Sequence, residues 1–175
     1  MESSGAYTVF IVDDDPLIHE MLGDHLKKFK NIKIHSFPDG EKALAQMSLN
    51  PNIIVLDYNL TGSNKDAMDG LAVLKKIKQV SPDVEVVMLS GQEKIEIAVN
   101  TMKFGAFDYV VKNENAFLRT ENALFNILRK FRLVRDGKLY RKLFMLSLIA
   151  FILMLMVFGI LFFMGYIKNP WEVVH

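Results

Sequence analysis

The sequence predicts an α/β fold, a doubly wound five-stranded parallel sheet with helices on both faces, followed by a single transmembrane helix. Three observations carry this. Short apolar runs alternate five times with stretches of helical periodicity, and that alternation means parallel strands joined by right-handed crossovers. One of the runs, Ile53-Ile54-Val55-Leu56-Asp57, is apolar at four successive positions, as in a strand buried on both faces. At the other end, Leu143 to Ile167 is a run of 25 residues without a charge. A bilayer needs about 20.

The elements follow in order. Tyr7 to Val12 is apolar and β-branched and reads as the first strand. It runs into Asp13-Asp14-Asp15-Pro16, where Asp15 suits a helix cap and Pro16 the first turn. Leu17, Ile18, Met21, Leu22, Leu26 and Phe29 then repeat at helical spacing. Ile32 to Phe37 alternates as a second strand, and Pro38-Asp39-Gly40 turns into a short helix carrying Ala43, Leu44 and Met47. After the strand at 53–57 comes a long polar connection from Tyr58 to Asp69, then a helix from Gly70 to Val80. Val84 to Leu89 is the fourth strand, ending in Ser90-Gly91. A helix from about Glu93 to Phe104 closes at Gly105, a residue suited to the C-terminal cap. Phe107 to Val111 is the fifth strand, ending at Lys112, and Asn115 to about Arg132 is the last helix of the body.

Charge divides the chain as hydropathy does. Residues 1–128 hold 13 Lys and Arg against 18 Asp and Glu, net −5; residues 129–175 hold 8 against 2, net +6. An acidic body and a basic, apolar tail imply two environments. No cysteine is present, which excludes disulfides and thiolate chemistry. His19, His25, His35 and His175 lack metal-ligand spacing, and the first three read as surface or boundary residues. Met1-Glu2-Ser3-Ser4-Gly5 has no basic region before an apolar core, so a signal peptide is not expected.

The strand ends carry the chemistry. Asp13 and Asp14 follow the first strand, Asp57 ends the third, Ser90 the fourth and Lys112 the fifth. In a parallel sheet these ends share one edge, where open α/β folds bind ligands. Carboxylates crowded together are pushed toward protonation unless a cation joins them. A hard cation such as Mg²⁺ meets that need with one or two carboxylates and several waters. A lysine and a hydroxyl at the same edge complement an oxyanion, so the set suits phosphoryl transfer, which depends on positioning and charge neutralisation. Taken singly, Ser90-Gly91 is equally a turn, Lys112 a solvated strand end and Tyr109 a half-buried core aromatic. Together those readings leave three acids at one edge unexplained.

In Val12-Asp13-Asp14-Asp15-Pro16, Asp57, Asp69-Gly70, Ser90-Gly91 and Gly105-Ala106-Phe107-Asp108-Tyr109-Val110-Val111-Lys112, the sequence resembles a CheY-like response-regulator receiver domain of two-component signalling. The resemblance covers residues 7 to about 130 and implies a flavodoxin-like sheet. It implies that Asp57 accepts a phosphoryl group from a histidine kinase or histidine phosphotransfer protein. It implies that Asp14 binds Mg²⁺ directly, that Asp13 helps to hold it, and that Asp57 and the backbone carbonyl of Asn59 complete the metal site. Lys112 would contact the phosphoryl oxygens, Ser90 would move to bond the phosphoryl group, and Tyr109 would swing inward behind it. Two positions depart from the family pattern. Asn113 stands where a proline usually follows the lysine, and the loop after Asp57 is longer than usual, with Thr61 in place of a proline. Such a domain is a phosphoacceptor rather than an enzyme with a substrate of its own. Its output is expected to be a protein contact, with no DNA-binding or enzymatic output domain. A phosphate sink and a constitutive scaffold are the alternatives. A hydrolase is a further one: Asp57-Tyr58-Asn59-Leu60-Thr61 is distantly similar to the nucleophile motif of haloacid-dehalogenase-like phosphatases. That motif has a second Asp where Asn59 stands, and it normally closes the first strand.

The tail completes the expected organisation: a receiver domain at 7–132, a basic juxtamembrane linker at 133–142, a transmembrane helix at 143–167 and a short external tail at 168–175. Within 143–167 only Ser147, Gly159 and Gly165 fall outside the apolar set, so no polar face exists for a surface helix. Arg129, Lys130, Arg132, Arg135, Lys138, Arg141 and Lys142 precede the span and Lys168 alone follows it, with Trp171 near the far interface. By the positive-inside rule the receiver lies in the cytoplasm, on a single-pass protein of the inner membrane. The basic run, placed against the span, suits anionic headgroups rather than nucleic acid. Gly159 and Gly165 are six apart, which is not the spacing of a helix-pairing motif.

Overall fold

A computed structural model describes residues 6–60 and 67–164 of the 175-residue chain. The chain divides into two compact units, Met1–Leu128 and Arg129–His175.

The first unit is built from β1 (Tyr7–Val12), α1 (Pro16–Leu26), β2 (Ile32–Phe37), α2 (Gly40–Ala45), β3 (Ile53–Asp57), α3 (Gly70–Val80), β4 (Glu85–Ser90), α4 (Ile95–Lys103), β5 (Asp108–Val111) and the start of α5 (Ala116–Phe163). All five strands are parallel, in the order β2-β1-β3-β4-β5. The order reverses between β1 and β3, which opens a crevice at their carboxyl ends. The register then decides what meets there. Val12 pairs with Leu56 and Ser90 with Val111, so Asp13 and Asp57 emerge side by side and Lys112 follows one residue past the pair at β4 and β5.

β3 is buried at every position, as its continuous apolar run requires, while β2 at the edge is only partly covered. One face of the sheet presents Phe10, Val12, Ile54, Leu56, Val86 and Met88 to Ala43 of α2 and to Val73, Leu74 and Ile77 of α3. Alternate strand residues point to the opposite face. That side holds α1 and α5, which a 2.7 Å hydrogen bond between His25 Nε2 and Glu121 Oε2 joins. Their buried side chains are Leu22 and Leu26 on α1 and Ala123, Leu124 and Ile127 on α5.

The local signals act as their chemistry requires. Asp15 caps α1 by accepting from the Leu17 amide, with Pro16 in the first turn. Gly105 takes φ +92 after α4, the left-handed conformation that glycine adopts without a Cβ penalty. Several boundaries differ from the sequence reading; β5, for one, begins at Asp108 rather than Phe107. Phe29 falls outside α1, because the chain must reach Asn31 at φ 67 before β2. Met47 belongs to a separate 3-10 turn over Met47–Leu49 rather than to α2. The fourth strand begins at Glu85 and includes Ser90, and α4 begins at Ile95.

The larger difference is in α5. The sequence suggests a body helix ending near Arg132, and Gly137 lies just beyond that point. The helix instead runs unbroken from Ala116 to Phe163. A lone glycine costs a helix only about 1 kcal/mol relative to alanine, and its neighbours here are good helix formers. In the second unit, every described side chain from Leu139 to Met164 is exposed. The long loop's Thr61–Asp66 and the tail from Gly165 to His175, including the expected external segment and Trp171, lie outside the described residues.

Candidate functional site

Asp13 and Asp57 are 1% and 2% exposed, and carboxylates buried that deeply require partners. Lys112 supplies one. Its Nζ donates to Asp13 Oδ2 at 2.7 Å and lies 3.0 Å from Asp57 Oδ1. The second contact is an ion pair without hydrogen-bond geometry, so Asp57 Oδ1 stays buried with a hydrogen bond unmade. Asp13 Oδ1 accepts from the Asp15 amide at 3.0 Å, which fixes the turn leaving β1. Asp14, beside it, is exposed. Asp13, Asp14 and Asp57 each offer an oxygen within 4.8 Å of the others.

The electrostatics follow from that crowding. Burial pushes the Asp57 carboxyl above the ordinary range; the Lys112 charge opposes the push, the Asp13 charge adds to it, and a hydrogen bond from the Asn59 amide works with Lys112. For Lys112, burial disfavours the charge, yet the Asp13 hydrogen bond and the charges of Asp57 and Asp13 outweigh it and raise its pKa. Three carboxylates facing one ammonium leave two negative charges uncompensated. That matches one divalent cation. The three carboxylates already offer oxygens within 4.8 Å of one another, near enough to converge on one ion. A carboxylate has two oxygens, so Asp57 can meet such an ion through one and keep the other free. Asp13, Asp14 and Asp57 therefore fit Mg²⁺.

Gly70 holds this edge in place. The Gly70 amide donates to Tyr58 O at 2.9 Å, and a Cβ at Gly70 would lie 2.1 Å from Asp57 O and 2.7 Å from Tyr58 Cα. Both contacts are backbone, so only glycine lets α3 start this close to Asp57. Asp69 caps α3 by accepting from the Ala72 amide.

Ser90 and Tyr109 meet at one residue. Ser90 is fully buried at the end of β4, and its Oγ accepts from the Gln92 amide at 3.1 Å. Tyr109 is turned inward, 9% exposed, and its hydroxyl donates to Gln92 O at 2.6 Å. Gln92 thus links the two through its own backbone, a connection no side-chain motif announces. The Lys112–Asn113 peptide is trans. Asn113 finds its own use there: its Oδ1 accepts from the Asn115 amide and its carbonyl from the Ala116 amide, starting α5.

All of the site residues expected from sequence except Tyr109 stand at the strand ends. The Lys112 contacts join Asp13 to Asp57; Asp14 adjoins them; the Asn59 amide bonds to Asp57; and Ser90 bonds within its own loop. Sequence reasoning missed Gly70 as a steric requirement, Gln92 as a link, and the pairing of His25 and Lys28 with Glu121. For Gly70 the dipeptide Asp69-Gly70 was a usable signal. The other two depend on tertiary contact alone.

The chain is similar to known proteins. The response regulator receiver domain family model matches residues 9–120. The chain is 39% identical over 137 residues to the nitrogen assimilation regulatory protein NtrX of Azorhizobium caulinodans, covering 76% of this chain and 29% of that protein. It is 38% identical over 109 residues to a putative NtrX-like response regulator of Rickettsia conorii, covering 61% of this chain and 22% of that protein. The chain therefore spans less than a third of the length of these relatives. The receiver domain of NtrX from Brucella abortus superposes with a TM-score of 0.56 at 33% identity, covering 66% of this chain and 97% of that one. The receiver domain of a putative LuxO repressor from Vibrio parahaemolyticus shares the fold, with a TM-score of 0.64 at 24% identity over 73% of this chain and 94% of that one.

Proposed function

The chain belongs to the response regulator receiver domain family, and from that premise we propose that it is a membrane-anchored phosphorylation switch with Asp57 as its phosphoacceptor. The donor is a histidine kinase or a histidine phosphotransfer protein. The observation that carries the reading is the state of Asp57 Oδ1: buried, beside the Lys112 ammonium and without a hydrogen bond, on a carboxylate grouped with those of Asp13 and Asp14. An oxygen so placed is a nucleophile with no competing hydrogen bond to break.

In this reading Asp57 attacks the phosphorus of the donor's phosphohistidine, the P–N bond breaks, and the imidazole leaves with that electron pair. Lys112 is within reach of the developing charge on the phosphoryl oxygens, and its raised pKa keeps it protonated for that role. Asp13, Asp14, Asp57 and the Asn59 carbonyl are the residues that would hold Mg²⁺, which supplies charge neutralisation at the phosphoryl group. Ser90 is freed for the phosphoryl oxygens when its Oγ exchanges the Gln92 amide for them. Tyr109 is tied to the same residue, so the exchange bears on the loop into α4.

The output is a protein contact. Ile95, Val99 and Met102 on α4 and Leu118 and Phe125 on α5 are exposed apolar side chains, 44% to 76% accessible, on the elements that this loop and β5 feed. The anchor is the apolar run of α5, exposed on every side and uncharged from Leu143 onward. Its basic flank at 129–142 keeps the receiver cytoplasmic at the inner membrane. NMR with beryllofluoride tests the switch. Amide shifts on adding beryllofluoride and Mg²⁺ are expected at Asp57, along the loop at Gln92 and on α4. Ser90→Ala is expected to retain the shifts at Asp57 and lose those on α4. Equal shifts on α4 in both proteins would sink the coupling.

A further inference from the structure

The second unit begins with a helix whose cations surround it. Arg129, Lys130, Arg132, Arg135, Arg141 and Lys142 are all exposed, and the helix through them is continuous. At about 100° per residue they fall around the whole circumference, and no gap between neighbours exceeds roughly 100°. The apolar residues among them, Leu133, Val134, Leu139 and Tyr140, are scattered between the cations and form no stripe. A helix that lies in a membrane surface needs one apolar face and one basic face. This segment has neither, so it stands out of the bilayer.

Upright geometry sorts the cations by height. With the hydrocarbon edge at Leu143, Lys142 and Arg141 stand about 1.5 and 3 Å above it, whereas Arg135, Arg132 and Arg129 stand roughly 12, 16 and 21 Å above it. The headgroup layer on one side of a bilayer is only about 5–7 Å thick. Side chains on a helix lean toward its N-terminus. For Arg141 and Lys142 that lean carries the charge up from the hydrocarbon edge into the phosphates; for the three distal arginines it carries the charge further away. Tyr140, exposed beside the pair, suits the interface with its ring low and its hydroxyl in water. The distal arginines also repel one another, since Arg129, Arg132 and Arg135 recur every three residues; Asp136 lies 3.9 Å from Arg135.

We infer that Arg141 and Lys142 form a binding collar for anionic phospholipid headgroups, and that the distal arginines take no part in it. The inference rests on the proposed span. Each lysine or arginine near an anionic surface strengthens attraction about fivefold, so the pair gives the protein a preference for anionic over zwitterionic lipid of the order of tenfold or more.

The test uses the 175-residue chain solubilised in mild detergent, with phosphatidylglycerol or phosphatidylcholine added and bound lipid counted by native mass spectrometry. Wild type is expected to hold phosphatidylglycerol at roughly tenfold lower concentration than phosphatidylcholine. R141Q/K142Q is expected to bind the two alike, and R129Q/R132Q to keep the preference. No preference in wild type, a preference retained by R141Q/K142Q, or an equal loss in R129Q/R132Q would overturn the collar. Failure of the span itself reads differently: the chain would then leave the membrane fraction in carbonate without detergent, whatever its lipid preference.

Discussion

Asp57 is held where its charge is costly. Its pKa is raised chiefly by burial, with Asp13 adding to the effect. For a carboxyl raised above its unfolded value, stability is complete below the unfolded value and is lost as pH rises from there toward the folded one. The metal-free fold therefore carries a penalty at neutral pH. Asp57→Asn is expected to raise the melting temperature at pH 7 without metal, and Mg²⁺ is expected to stabilise the wild type more than the variant. Thermal melts with and without Mg²⁺ check both; an Asn variant less stable than wild type in EDTA would contradict the assignment. Gly70→Ala acts on the same residue sterically. Its Cβ would meet backbone at 2.1 and 2.7 Å, so about 1–3 kcal/mol of stability should be lost, with phosphoryl uptake at Asp57 falling too. Chemical denaturation and a phosphorylation assay read the two effects. Much of this scale was legible in the sequence, because Asp13, Asp57 and Lys112 each end a strand and parallel register gathers strand ends. What was not legible needed the third dimension. His25 and Glu121 lie 96 residues apart, and the room at Gly70 exists only once α3 meets β3.

At the scale of elements, the proposed switch runs through the β4–α4 loop. Ser90 and Tyr109 both bond to Gln92, one to its amide and one to its carbonyl. Tyr109→Phe keeps the ring and removes only the hydroxyl. It should cost about 1 kcal/mol of stability, leave Asp57 phosphorylation intact, and weaken the response of α4 to beryllofluoride. Denaturation, phosphorylation and NMR shifts separate these three, and an undiminished response on α4 would remove Tyr109 from the switch. The strands were readable as buried runs between turn residues, and β1, β2 and β3 begin and end where the apolar pattern does. α5 was not readable to its end. Gly137 looks like a stop in sequence, but a helix with leucine, lysine and arginine on both sides absorbs one glycine. The helical periodicity of residues 116–128 belongs to a face packed on the sheet, whereas from Leu143 onward the apolar character is all round. Pattern matching divides the two where the backbone does not.

For the whole molecule, charge divides the chain in the same place as its contacts do. The acidic unit ends at Leu128 and the basic, apolar unit begins at Arg129. At about 1.5 Å per residue, the uncharged part of the helix from Leu143 to Phe163 reaches roughly 31 Å, enough to cross a hydrocarbon layer of about 30 Å. The 175-residue chain should stay with membranes through a carbonate wash, and a truncation after Arg135 should be soluble. A reporter fused at His175 should read as external; protease protection that places both ends in the cytoplasm would refute the span. The central claim is that Asp57 is the phosphoacceptor of a metal-assisted switch. Its most direct test is peptide mass spectrometry of the 175-residue chain in detergent, after incubation with a small-molecule phosphodonor and Mg²⁺. The expected result is one added phosphoryl group on the peptide that contains Asp57, lost in EDTA and absent in Asp57→Asn. A phosphoryl group that persists in Asp57→Asn, or that forms at the same rate without Mg²⁺, would contradict the claim.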